Sequence, residues 1–414
     1  MTESISSGAQ AGRPASGRAA FIFIFITLAL DMLALGVIVP VFPKLIVEMN
    51  GGSEVLAAHW VGFAGTLWAL MQFVTMPVAG ALSDRIGRRP VVLISNFGQG
   101  ADYLVMALAP NLWWLLAGRL ISGMTSGSVS AAFAYIADVT APEKRAGAFG
   151  ALGAAFGLGF VIGPALGGVL GDIDARLPFW IAGALSLLNG LYGLFVLPES
   201  LPPERRANFS WAKANPVGSF AMLRANPQLF GLASVKFLND LAHVVYPATF
   251  ALYAMHRYDW GPREVGLTLA AVGVSGIIVQ AGLVGRIVAA IGERRALILG
   301  LICGAIGFSI YGLASEPWIL FCGIPIAAFW GLAGPSGQAL MSQRVSPSEQ
   351  GRLQGALSSL TGVAGLMGPS LFTGVFAYSI GTSAAVAFAG AAFMSAALLV
   401  ALGLPVALHT IKKS

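Results

Sequence analysis

Twelve long apolar runs, separated by short polar segments, order this 414-residue chain. They cover 20–46, 57–82, 91–109, 112–137, 146–171 and 178–197, then 228–255, 264–291, 296–314, 317–343, 353–378 and 382–404. Each is continuously apolar and 19 to 28 residues long, with none of the ten-residue alternation that marks a membrane strand. About 20 apolar residues wound as an α-helix cross the hydrocarbon layer of a bilayer. The runs therefore predict an all-α polytopic membrane protein with twelve transmembrane helices. The first run follows a polar start carrying Arg13 and Arg18. It is too long for the core of a secretory leader and contains Pro40 and Pro43, so it reads as the first membrane helix and not as a cleaved signal.

Composition narrows the function classes. The chain is 57% hydrophobic and 10% charged, against about 25% charged in soluble domains. That excludes a soluble enzyme, a disulfide scaffold and a disordered protein. Cys303 and Cys322 lie in apolar runs and imply no disulfide framework. Fifty-three glycines suit helices whose backbones approach closely. Eighteen of the 24 bases fall in the two termini and alternate loops, and four on the opposite side. By the positive-inside rule this predicts cytoplasmic termini, and it explains the net charge of +6 with no nucleic-acid partner.

The longest polar connection, 198–227, divides the chain into a six-helix half at 1–197 and another at 228–414. Short repeats support a duplication. Gly80 to Arg89 resembles Gly285 to Arg295, Val139 to Glu143 resembles Val345 to Glu349, and Gly163-Pro164 resembles Gly368-Pro369, all at offsets of 205 or 206. Parallel six-plus-six repeats with a midplane site are one transporter architecture.

Three motifs carry chemistry. In Gly80-x-x-x-Asp84-Arg85-x-Gly87-Arg88-Arg89, Gly87 permits a tight turn, and Asp84 can cap the next helix or pair with a base. Helix 5 holds Gly150-x8-Gly159-x3-Gly163-Pro164-x2-Gly167-Gly168, small residues on nearly one face with a proline that removes a backbone donor. Helix 1 holds Asp31-x4-Gly36-x3-Pro40-x2-Pro43, and Asp138 follows helix 4. The first motif resembles the signature loop of the major facilitator superfamily, and the second resembles the antiporter motif of its drug-exporting members. With Asp102-Tyr103, the N-terminal half looks like the tetracycline-resistance efflux proteins of bacteria.

The resemblance implies a proton-coupled exporter in a bacterial inner membrane, in which the first loop, with Asp138, latches helices. It also implies that Arg119 acts in coupling. The chain departs from those exporters at two places. Gly276 and Gly304 stand where they carry a helix 8 histidine and a helix 9 aspartate.

Ionisable groups inside apolar runs cost about 2.5–3.5 kcal/mol each on insertion scales, so Asp31, Asp102, Arg119, Lys236 and Asp240 are candidates for proton coupling. Lys236, Asp240 and His243 share a helix face by spacing, and His243 can relay protons near neutral pH. Polar or aromatic residues at midplane depth, namely Gln72, Gln99, Asn189, Asn239, Tyr246, Gln280, Phe308, Trp330 and Gln338, are candidates to bind substrate. No metal site, cofactor motif, nucleotide loop or catalytic triad is present in the sequence. The expected protein is a monomeric secondary transporter, not an enzyme, exporting a small amphipathic organic compound or drug in exchange for protons. The alternatives are a metabolite uniporter or symporter and a non-transporting receptor or scaffold.

Overall fold

The computed structural model describes residues 15–207, 223, 226–346, 349–381 and 388–412. Every regular element among them is helical. The helices are α1 (Ala15–Ile38), α2 (Phe42–Met49), α3 (Glu54–Ile86), α4 (Arg88–Leu108), α5 (Leu112–Thr125), α6 (Ser128–Val139), α7 (Arg145–Ile173) and α8 (Leu177–Val196). They continue as α9 (Pro227–His243), α10 (Val245–Tyr258), α11 (Pro262–Ile277), α12 (Val284–Leu313), α13 (Pro317–Ala328), α14 (Ala333–Ser342), α15 (Gln350–Ile380) and α16 (Ala391–Lys412). Polar side chains start several of them. Ser53 accepts from Leu56 N–H ahead of α3, Asn111 from Trp113 N–H ahead of α5, and Asn226 from Gln228 N–H ahead of α9. Each satisfies a first-turn donor that has no partner inside its helix.

Ten described segments are long and apolar enough to span a membrane. One of them, Pro262–Leu313, runs 52 residues and breaks at Gly292, where φ is 78°. A further apolar pair, α9 and α10, adjoins at Val244. The expected last span, 382–404, begins in residues outside the described set, and its helix proper starts only at Ala391.

Four expected spans are not single helices. α1 gives way to α2 across residues 39–41, beside Pro40 and Pro43, whose rings leave carbonyls without an intrahelical partner. α5 and α6 meet at Ser126 and Gly127, α9 and α10 at Val244, and α13 and α14 across a tighter 3₁₀ turn, Phe329–Leu332. The breaks recur at the repeat offset, since 39 and 244, and likewise 127 and 332, lie 205 apart. Two of the four positive-φ glycines among the described residues do the same, Gly87 at φ 109° and Gly292 at φ 78°.

Two close packings hold the bundle together at one end. α7 lies on α11 and α3 lies on α15. A methyl group on Gly266 would overlap the Pro164 carbonyl, and one on Gly62 would come within 3.3 Å of the Pro369 carbonyl. Pro164 and Pro369 are equivalent residues, 205 apart, and each is met by a glycine of the opposite half. Thr66 and Ser370 join their hydroxyls at 2.8 Å, and His256 Nδ1 lies 2.6 Å from Glu54 Oε2 at the same end. Along α7 the contact continues to Gly157, 3.5 Å from Ile277. Beyond it Gly150 and Gly153, and opposite them Gly282 and Gly285, have nothing within 4 Å. The helices therefore splay toward the end that carries the Gly87 and Gly292 breaks.

Candidate functional site

A cavity of about 790 Å³ lies where α1, α2, α3 and α5 face α10 and α15. Its walls are mostly apolar, from Phe42, Trp68, Phe73, Met76 and Val244, with Gln72, Ser358, Ser359, Thr361 and Arg119 as polar points. The volume falls in the range of small-molecule sites.

Arg119 reaches the cavity from α5, while its partner Asp102 is hidden behind it on α4. Nη2 of Arg119 lies 3.1 Å from Asp102 Oδ2, the two side chains being 7% and 0% exposed. The guanidinium also stacks 5.6 Å above the Phe42 ring. Its Nε and the second oxygen of Asp102 are buried, with no hydrogen-bond partner among the described residues. Removing one member of such a pair strands the other charge, at about 3–5 kcal/mol. Asp31, on α1, is buried with Oδ2 likewise unpartnered, and does not line the cavity.

On the other side Lys236 Nζ and Asp240 Oδ2 meet at 2.6 Å, one turn apart on α9. Thr361 from α15 donates to the same oxygen at 2.6 Å and accepts from Lys236 at 3.1 Å. Thr361 is also part of the cavity wall. A second space of about 70 Å³ touches Lys236, Asn239, Asp240 and Gln338, room for a few waters. The sequence pointed to the Lys236–Asp240 pair and missed Thr361, a neutral residue 121 positions away from its partner. His243 does not join this pair by a hydrogen bond among the described residues. Its ring sits 5.6 Å from Trp330 and 6.1 Å from Tyr246.

The nine candidate substrate residues separate. Gln72 lines the large cavity, and Asn239 and Gln338 line the small one. Asn239 accepts from the Trp330 indole, and Gln338 donates to Gln354 at 3.2 Å. Tyr246, Phe308 and Trp330 pack into an aromatic core with Tyr311 and Phe393, and line neither cavity. Asn189 donates to Thr27 at 3.1 Å, both buried. Gln99 is half-buried with an unpartnered oxygen, and Gln280 is exposed on a π-helical turn, Ile278–Leu283. Midplane depth alone could not separate these, because it does not say which face of a helix looks inward.

The α3–α4 loop is a knot of charge. Arg88 reaches Asp84 at 2.5 Å and Asp138 at 3.2 Å. Capping falls not to Asp84 but to Glu199, whose carboxylate accepts from Arg88 N–H at 2.9 Å and Arg89 N–H at 3.3 Å. A carboxylate at a helix N-terminus meets both the free donors and the positive end of the dipole. Gly87 is required twice, by its positive φ and because a side chain there would strike Glu199. Arg85 is exposed, and Gly80 faces open space. In the repeat, Glu293 and Gln343 stand 205 residues after Arg88 and Asp138, and they meet at 3.5 Å.

The helix 5 motif works through two edges of α7. Gly159 and Gly163 would each put a methyl 2.6 Å from an α1 carbonyl, of Ala29 and Leu33. Gly167 lies on Val37 in the same stripe, as does the Pro164 ring on Gly36, while the Pro164 carbonyl and Gly168 face α11. Gly150 takes no part in this packing. The two departures also differ. Gly276 has open space, whereas Trp330 fills the room beside Gly304.

A helical membrane bundle enclosing a drug-sized cavity, with ionisable groups sealed in its walls, is the body of a transporter and not of an enzyme. The chain belongs to the Major Facilitator Superfamily, whose family model matches residues 24–369 and 232–414. It is 39% identical to the class C tetracycline resistance protein of Escherichia coli over 88% of this chain and 91% of that protein. It is 36% identical to the class B protein of Escherichia coli over 87% of this chain and 88% of the relative. Among solved structures, the human organic anion transporter MFSD10 superposes with a TM-score of 0.69 at 25% identity, covering 95% of this chain and 100% of that one. A bacterial homolog of the human lysosomal transporter Spinster gives 0.77 at 18% identity, over 96% and 97%. The protein is therefore a multi-pass membrane transporter.

Proposed function

We propose that this protein exports an amphipathic organic compound, tetracycline-like or of a multidrug range, across a bacterial inner membrane in exchange for protons. It acts as a monomer, by alternating access of the halves 1–197 and 228–414 about the connection 198–227. The observation that carries this is the cavity closed at one end and flanked by one buried and one half-buried ion pair. The recurrence of helix breaks and of the Gly87 and Gly292 turns at one offset, with reciprocal glycine–proline contacts between the halves, supports two equivalent halves. With 18 bases on one side and four on the other, the termini are cytoplasmic, so the closed end faces outward and the cavity loads from the cytoplasm.

Asp31, Asp102 and Asp240 are the proton sites. Arg119 and Lys236 are the charge partners of Asp102 and Asp240, and His243 serves as a relay beside the aromatic core. Substrate contacts come from Gln72 in the large cavity, while Asn239 and Gln338 line a space that holds waters beside the Lys236–Asp240 pair. The Asp84–Arg88–Asp138 cluster, formed here within the N-terminal half while the cavity loads from the cytoplasm, is the cytoplasmic latch that ties α3, α4 and α6 together. The printed names of the relatives support drug export. The absence of both the helix 8 histidine and the helix 9 aspartate makes proton coupling depend on Asp240.

Everted vesicles loaded with a panel of drugs test this. Asp240→Asn is expected to abolish pH-gradient-driven accumulation while retaining counterflow of labelled drug. Wild-type accumulation in that variant would remove Asp240 from coupling, and no resistance to any compound in cells would remove drug export.

A further inference from the structure

We infer that the cavity is selective for amphipathic organic anions, with the negative group docked on Arg119. This names the substrate class of the transport reading above and rests on it. Arg119 is the single ionisable residue among the described residues that line the large cavity. Its counterion is not displayed, since Asp102 has no exposed surface and lies behind it. Asp31 is sealed in α1, and Asp240 sits behind Thr361. The wall of the large cavity therefore shows a cation and no carboxylate, Asp240 opening instead on the small space beside it.

The guanidinium is also under-used. A guanidinium presents five N–H donors in a planar fork. Here Nη2 serves Asp102 and the Met106 sulfur, while Nε, in a side chain more than nine-tenths buried, has no partner among the described residues. A buried donor left unmade is costly, and a carboxylate, enolate or phenolate is the acceptor a guanidinium fork matches best. Phe42 covers one face of the guanidinium, so the remaining donors are reached along its edge. Trp68, Phe73 and Met76 offer apolar wall for the body of the ligand. An organic cation would meet Arg119 with no exposed carboxylate to offset it. Exchange of a monoanion for a proton moves two charges in the same electrical sense, so an inside-negative potential alone drives export.

The test uses three tritiated probes with one apolar body: 4-biphenylcarboxylate, biphenyl-4-carboxamide and 4-biphenylmethylamine, bound to the purified full chain at pH 7.5. The carboxylate is expected to bind at least about tenfold tighter than the amide and the amine, a difference of 1.4 kcal/mol. Arg119→Lys is expected to keep part of the preference. Arg119→Gln combined with Asp102→Asn, which leaves no stranded charge, is expected to lose it. Carboxylate binding no tighter than that of the amide in the wild type, including no binding at all, overturns the inference, as does a preference that survives the double variant. Proton coupling is read separately in proteoliposomes. An imposed pH gradient that drives none of the bound probes would sink the coupling reading while leaving the charge preference standing.

Discussion

Thr361 is the residue through which the cavity and the Lys236–Asp240 pair touch. Its hydroxyl donates to Asp240 on one side, and the residue faces the cavity on the other. Thr361→Val keeps the shape and removes the donor, leaving Asp240 with Lys236 alone. Losing a hydrogen bond to a charged group costs about 1.5–3 kcal/mol. The rate of gradient-driven transport is then expected to fall roughly tenfold or more across its pH profile, and Thr361→Ser to restore it. A profile in Thr361→Val superimposable on the wild type would refute that role. At this scale the sequence was readable where a residue is costly in its surroundings. Asp31, Asp102, Arg119 and Asp240 stood out as charges inside apolar runs. Thr361 and Glu199 did not, because a threonine in a helix and an acid after one cost nothing locally, and their partners lie more than a hundred residues away.

At the scale of elements, closure of one end rests on glycines that allow backbone to meet backbone. Gly266→Val would drive a branched side chain into the Pro164 carbonyl and separate α11 from α7. The variant is expected to fold, since the lost contact lies at one end of the bundle, and to lose exchange almost completely because that end can no longer close. Normal counterflow in Gly266→Val would show that the contact is dispensable. The long apolar runs made nearly every span legible. The break at Pro40 and Pro43 follows from proline chemistry, whereas those at Val244 and Phe329–Leu332 have no proline at the break itself. The π turn at Ile278–Leu283 has no local signature either, and arises where α11 parts from α7.

Across the whole molecule, the prediction concerns movement. Thr66 and Ser370 join α3 to α15 at the closed end through a 2.8 Å hydroxyl contact. Cysteines at both positions, in a chain with Cys303 and Cys322 replaced, are expected to crosslink on oxidation and arrest transport, with reduction restoring it. Undiminished transport after complete crosslinking would contradict alternating access. The duplication was visible as three short matches, but what it duplicates was not. Only the folded chain brings Gly62 onto Pro369 and Gly266 onto Pro164, an exchange of partners between repeats that no linear comparison displays.

The indole of Trp330 beside Gly304 bears on how this protein can change. A carboxylate introduced at Gly304 would have to occupy space that the ring already fills, and overpacked sites typically cost about 1–3 kcal/mol. Acquiring the helix 9 acid of the tetracycline exporters is therefore not one mutational step but two, in a fixed order. Trp330 must first become smaller, giving up its bond to Asn239 and its place among Phe308 and His243. The aromatic core thus resists a carboxylate at this position, since room for one comes only at the expense of the contacts Trp330 makes.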